Sequence, residues 1–135
     1  MIKQDLIERM SKELAKVIAE LLGFDTTQKL EYINEYFISL GLDPVNILET
    51  NPDELMDELV DRDDLQLSHL ELVANLIHQK AKVYYEQDFD AFGHNMMKKA
   101  IVILEHVDHE MGIYSIERRE LLGAMKRDIW DEEIE

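Results

Sequence analysis

Cysteine is missing from all 135 residues. Its absence excludes a disulfide scaffold, a thiolate zinc site and a cysteine nucleophile. Glycine (5) and proline (2) are scarce, which argues for helices over a turn-rich β architecture. Basic residues are the next shortage. Lys and Arg number 14 against 30 Asp and Glu, giving a formal net charge of −16, and that field repels a phosphate backbone, so nucleic acid is not expected as a partner. Long hydrophobic runs are lacking too. The longest, residues 100–104, falls far short of the roughly 20 that span a bilayer. Lys3, Asp5, Glu8 and Arg9 interrupt the start of the chain where a signal peptide needs an apolar stretch. A cytoplasmic protein without a membrane partner is therefore expected.

Hydrophobic residues make up 46% of the chain and charged residues 33%, enough apolar material for one core at a length typical of one domain. The expected fold is all-α, a single helical domain over residues 1–135 built as an antiparallel array. Its first part, 1–64, holds N-terminal helices and an acidic middle segment. Its second part, 65–135, holds a long helical hairpin and a C-terminal helix.

The apolar period supports this division. Leu6, Ile7, Met10, Leu14, Val17, Ile18 and Leu21 form one stripe over residues 2–22, and Gly23 stops the helix. The run Asp25-Thr26-Thr27 supplies cap oxygens for a second helix with Leu30, Ile33, Tyr36, Phe37 and Leu40 inward, ended by Gly41 in a Schellman turn. Asp43-Pro44 and Asn51-Pro52 each place a cap residue before a first-position proline, and Glu54 completes a capping-box spacing with Asn51. From about residue 64 to 86, Leu70, Val73, Ala74, Ile77, Ala81 and Tyr84 share an inner side, with Glu71, Asn75, His78, Lys82 and Glu86 on a solvated one. Asp88 is expected to cap the next helix, whose inner stripe runs from Phe92 through Met96, Met97, Ala100, Leu104 and Val107 to Met111 before Gly112. Ser115 then caps a last helix with Leu121, Leu122, Met125 and Ile129 inward.

Charge is concentrated. Residues 25–64 hold 12 acids against Lys29 and Arg62, so ten of the net negative charges sit there, while residues 1–22 are neutral. A solvated face that keeps a small protein soluble is the expectation for that run; an acidic surface for a basic partner is the sharper alternative.

Residues 74–107 resemble one tetratricopeptide unit. Ile77, Ala81 and Tyr84 fall on its first-helix positions for a large, a small and an aromatic residue, and Gly93, Met97 and Ala100 on the second-helix positions for small, large and small. Small side chains are needed where two helix axes come close. Lys80 stands where a leucine is usual, no proline ends the unit, and no second unit lies 34 residues away. With the opening Met1-Ile2-Lys3-Gln4-Asp5 and Ile7-Glu8-Arg9-Met10, this half is also similar to a family of small bacterial helical proteins. That likeness implies a fold and a bacterial cytoplasmic setting and brings no activity.

Chemistry-bearing patterns are few. Glu105, His106, His109 and Glu110 lie three or four apart on one helix and are the best metal candidates, yet no second spaced set of histidines completes a ligand shell, and no Glu-x-x-His occurs. A polar stripe near a helix C-terminus is the reading adopted, so no metal and no cofactor are expected; a metal-dependent protein using His106 and His109 is the alternative. The nucleotide-binding glycine loops, Gly-x-Ser-x-Gly and His-Glu-x-x-His are all absent. The expected function is therefore a non-enzymatic module binding a protein or peptide. Its contact surface is expected on the last three helices, with His78, Lys82, Tyr84, Tyr85 and Lys98 exposed there. Trp130 and Ile134 lie off the inner stripe of the last helix, and a structural homodimer held through Trp130 is a third reading.

Overall fold

The computed structural model describes the backbone of residues 2–112 and 115–134 and the side chains of residues 12–112 and 115–129. It is 83% helical, with seven helices and no strand among the described residues. They are α1 (Ile2–Leu22), α2 (Thr26–Ser39), α3 (Pro44–Glu49), α4 (Pro52–Val60), α5 (Leu67–Glu86), α6 (Asp90–Met111) and α7 (Ile116–Ile134).

Local chemistry places most of the boundaries. Asp25 accepts from the Gln28 backbone N–H at 2.9 Å while Gln28 accepts from Asp25 N–H at 3.1 Å, a closed capping box. Asp43 accepts from Val45 N–H and Asn51 from Glu54 N–H, each ahead of a first-position proline. Ser115 Oγ accepts from Arg118 N–H at the start of α7. At the end of α2, Gly41 takes a left-handed φ of 76°, and Leu42 N–H and Gly41 N–H bond back to the carbonyls of Phe37 and Ile38. Arg62 covers the same end, donating to the Leu40 and Gly41 carbonyls, and its guanidinium lies 2.8 Å from where a Cβ on Gly41 would sit. Both the turn and the cation require glycine there.

Gly23 stands directly after the last residue of α1, without the left-handed φ of Gly41, and α1 closes through Gly23 and Phe24 N–H bonds to Glu20 and Leu21. Two expectations are corrected. Asp88 does not cap α6. It has a φ of 63° and ends α5 as Gly41 ends α2, with Phe89 N–H bonded to Tyr84 and Asp88 N–H to Tyr85. Asparagine and aspartate tolerate this conformation, so the residue read as a helix start serves a helix end. Phe92 does not join the core. It is 51% exposed, 5.8 Å from the Tyr84 ring and edge-on to Phe89 at 6.4 Å, at the tip of the hairpin.

The α5–α6 hairpin is the spine, and the other helices lean on it. Helices α1 and α2 pack on α5; α4 and α7 pack on α6. One contiguous cluster runs from Val17 through Ile33, Phe37, Ile77, Met97 and Leu104 to Met125. Met96, Met97 and Met125 are fully buried core residues. Because α5 is covered on three sides, its polar stripe is covered as well: Asn75 and His78 are buried, and only Lys82 and Glu86 of that stripe stay exposed. Near the loop, the Tyr85 ring sits on Gly93, where an added Cβ would lie 2.9 Å from it. Gly93→Leu is expected to lower stability by about 2 kcal/mol in urea unfolding, overpacking outweighing the helix propensity gained. An unchanged midpoint would mean that Tyr85 swings away freely.

Candidate functional site

Helices α1 and α7 flank the hairpin on the same side yet make at most isolated contacts with each other. The space between them is an open cleft of about 600 Å³. Leu14, Ala15, Ile18, Ala19 and Leu22 form one wall, Glu117, Arg118 and Leu121 the other, and Ser68, Glu71, Asn75, Leu104 and Met111 the floor. Its lining is mainly aliphatic, with polar groups gathered on the α5 and α7 sides. Volume and character match sites that hold an apolar body by burial and orient it with a few polar groups.

A charge network fixes the α7 wall. Arg118, 7% exposed, donates through Nε to Glu71 at 2.7 Å and through Nη1 to Asp108 at 3.1 Å, so one guanidinium ties α7 to α5 and α6 together. Its Nη2 lies 3.0 Å from the Met111 sulfur, and Arg119 reaches the other Asp108 oxygen at 3.3 Å. The α1 wall is held from behind. Tyr36 OH donates to Glu13 and Tyr32 OH to Glu20, both at 2.7 Å, which turns the acids of α1 toward α2.

Two lysines lie inside the fold. Lys99 is fully buried and donates to the Ile47 and Leu48 carbonyls at 2.6 and 2.8 Å, closing the C-terminal end of α3. Burial, then repulsion from Lys80, lowers its pKa to about 8. A neutral amine still has the two donors these carbonyls need, so the fold accommodates the loss of the proton. Lys80 occupies the place of a leucine in the resemblance; it donates to Asn34 at 2.9 Å and lies 6.0 Å from the Phe37 ring centre. Neither reaches the cleft.

The residues singled out in the sequence do not gather into one surface. His78 is buried, not exposed, with no hydrogen bond to either ring nitrogen, and burial followed by Lys82 lowers its pKa to about 4. Lys82 is exposed on α5, Tyr84 stacks toward Phe92, and Tyr85 covers Gly93. Lys98 borders a shallow groove with Asn51, Pro52, Asp53, Ile101, Val102 and Ile129, between α4, α6 and α7. The Trp130 and Ile134 side chains lie outside the described residues. Among the described residues no three His, Asp or Glu side chains converge as a metal site. Glu105 faces Lys126 at 3.8 Å, Asp108 is held by Arg118 and Arg119, and His109 lines an open groove beside them, while Glu110 is exposed and His106 half-buried.

The cleft had one partial signal in the sequence: Ala15, Ala19 and Leu22 widen the apolar stripe of α1 beyond what Val17 and Leu21 bury. Compared with protein-family models, curated proteins and solved structures, the chain matches none. No helix is long and apolar enough to cross a membrane among the described residues.

Proposed function

We propose that this chain is a non-enzymatic protein-interaction module, cytoplasmic and tetratricopeptide-like in its α5–α6 hairpin, that receives a segment of another protein between α1 and α7. The unfilled apolar cleft carries the reading. Leu22 on its wall is 75% exposed, and Ile116, between lining residues Ser115 and Glu117, is 60% exposed. A ligand small enough to be sealed inside would leave these side chains in water, whereas a protein segment that continues past the mouth covers them. The kinship with tetratricopeptide units is supported by the burial of Ala81, Gly93 and Ala100. To the departures at Lys80 and the missing proline and second unit it adds one more: Tyr85, not Tyr84, packs against Gly93.

A photo-reactive benzoylphenylalanine at position 19 tests this in living cells. Adducts of defined mass are expected from position 19 and not from position 58, an exposed site on α4 remote from the cleft. Equal labelling at both positions, or none, would sink the proposal, and an adduct with the chain itself would mark a homodimer instead.

A further inference from the structure

We infer that the occupant of the cleft is an amphipathic helix with acidic residues along one edge of its apolar stripe and basic residues along the other; this rests on the interaction reading above. The two walls carry opposite charge. Successive residues turn by about 100° in a helix, so going around α1 from Ile18 and Leu22 past Ala15 and Ala19, the next side chains are Lys12 and Lys16. Both lysines are exposed. Among the described side chains of α1 the acids lie farther round, where Glu13 and Glu20 accept from the tyrosines of α2. Over residues 12–22 the α1 rim is thus left cationic by the packing behind it.

On α7 the same turn places Glu117 and Asp128 beside Leu121, both exposed. Arg127 lies farther round the helix, next to Glu120, with its guanidinium turned toward Gly123, 3.5 Å from where a Cβ there would be. Arg118 is committed to Glu71 and Asp108.

An apolar trough between a basic and an acidic rim is the arrangement in which flanking charges choose the partner of a packed helix. A helix of uniform charge is repelled by one rim whichever way it lies. A helix with mixed edges satisfies both, and because turning a helix end for end exchanges its edges, the order of the edges also fixes its direction. An extended peptide offers no such pair of edges: its side chains alternate between two faces.

The test uses the full chain and three synthetic peptides of about 18 residues, roughly 27 Å when helical. Each has leucine at i, i+3, i+4 and i+7 and differs only at the edges: glutamate on one and lysine on the other, lysine on both, or glutamate on both. Fluorescence anisotropy is expected to show saturable binding of the mixed peptide, about tenfold tighter than either uniform one. Lys12→Glu with Lys16→Glu makes both rims acidic, and the preference should then pass to the all-lysine peptide. These positions are exposed, and the variant is expected to keep the helical circular dichroism spectrum of the parent chain. Equal affinity for all three peptides, or no inversion in the variant, overturns the inference. If none binds while the position-19 adducts form, the interaction reading stands and this choice of partner fails. If only a fluorescent fatty acid binds, or sedimentation shows a dimer that no peptide disrupts, both readings fall.

Discussion

Arg118→Ala is expected to be the most damaging single change on the cleft side of the molecule, costing about 3 kcal/mol of stability and loosening α7 from the hairpin. The cost comes chiefly from what is left behind. Glu71, whose side chain is 18% exposed, keeps no other cationic partner among the described ion pairs, whereas Asp108 retains Arg119 at 3.3 Å. Removing the guanidinium therefore strands one largely buried carboxylate rather than two. It also removes the only described side-chain ties from α7 to α5. Arg118→Lys keeps the charge without the fork and should recover only part of the loss. Adding Glu71→Gln to Arg118→Ala, which neutralises the stranded group, should return about half of it. Urea unfolding followed by circular dichroism measures the stability, and hydrogen exchange locates it, with amides of α7 losing protection before those of α5 and α6. A cost below about 1 kcal/mol, or no rescue by Glu71→Gln, would show that α7 is held by Leu122 and Met125 and that the ion network contributes little.

Features determined by a few neighbouring residues were legible in the sequence, and those determined by distant ones were not. Asp25, Asp43, Asn51 and Ser115 cap where their sequence says, because a cap is a bond between residues two or three apart. Asp88 was misplaced because an aspartate between two helices can serve either one, and only its φ decides. Asn75 and His78 show the limit of periodicity. Their stripe is polar, so it reads as solvated, but α5 carries helices on three sides, leaving His78 3% exposed and Asn75 8% exposed at the floor of the cleft. Lys80 and Lys99 show the converse. Both lie on otherwise apolar stripes, next to Ala81 and Ala100, and a lysine at such a place is a signal that something across the core needs a donor. The acceptors, Asn34 and the carbonyls of Ile47 and Leu48, come from elements 46 to 52 residues away. The cleft was the least legible feature. It exists because α1 and α7 pack on the hairpin and make at most isolated contacts with each other, and a local pattern does not encode a contact that is largely missing.

His78 should make the fold sensitive to mild acid through a group that contributes no hydrogen bond. It is 3% exposed, neither ring nitrogen has a partner, and its pKa is lowered to about 4 by burial and by Lys82. In the unfolded chain it titrates at its ordinary value near 6.5. Above pH 6.5 it is neutral in both states and costs nothing through protonation. As the pH falls from 6.5 toward 4 the unfolded chain takes up a proton that the folded chain refuses, and stability is lost, by about 3 kcal/mol at pH 4. His78→Leu removes the titrating group and fills nearly the same space. Near pH 7 it is expected to stabilise the fold by about 1 kcal/mol, since two unpaired polar atoms leave the interior. The gain should widen to about 4 kcal/mol at pH 4, so the acid limbs of the two proteins diverge. The difference between them cancels the contribution of the carboxylates common to both. Urea midpoints at half-unit steps from pH 7 to 4 measure the divergence, and the His78 ring proton shift in NMR reports its titration directly. Parallel acid limbs, or a ring titrating near 6.5 in the folded chain, would mean that water reaches His78 and that α5 is less tightly covered there.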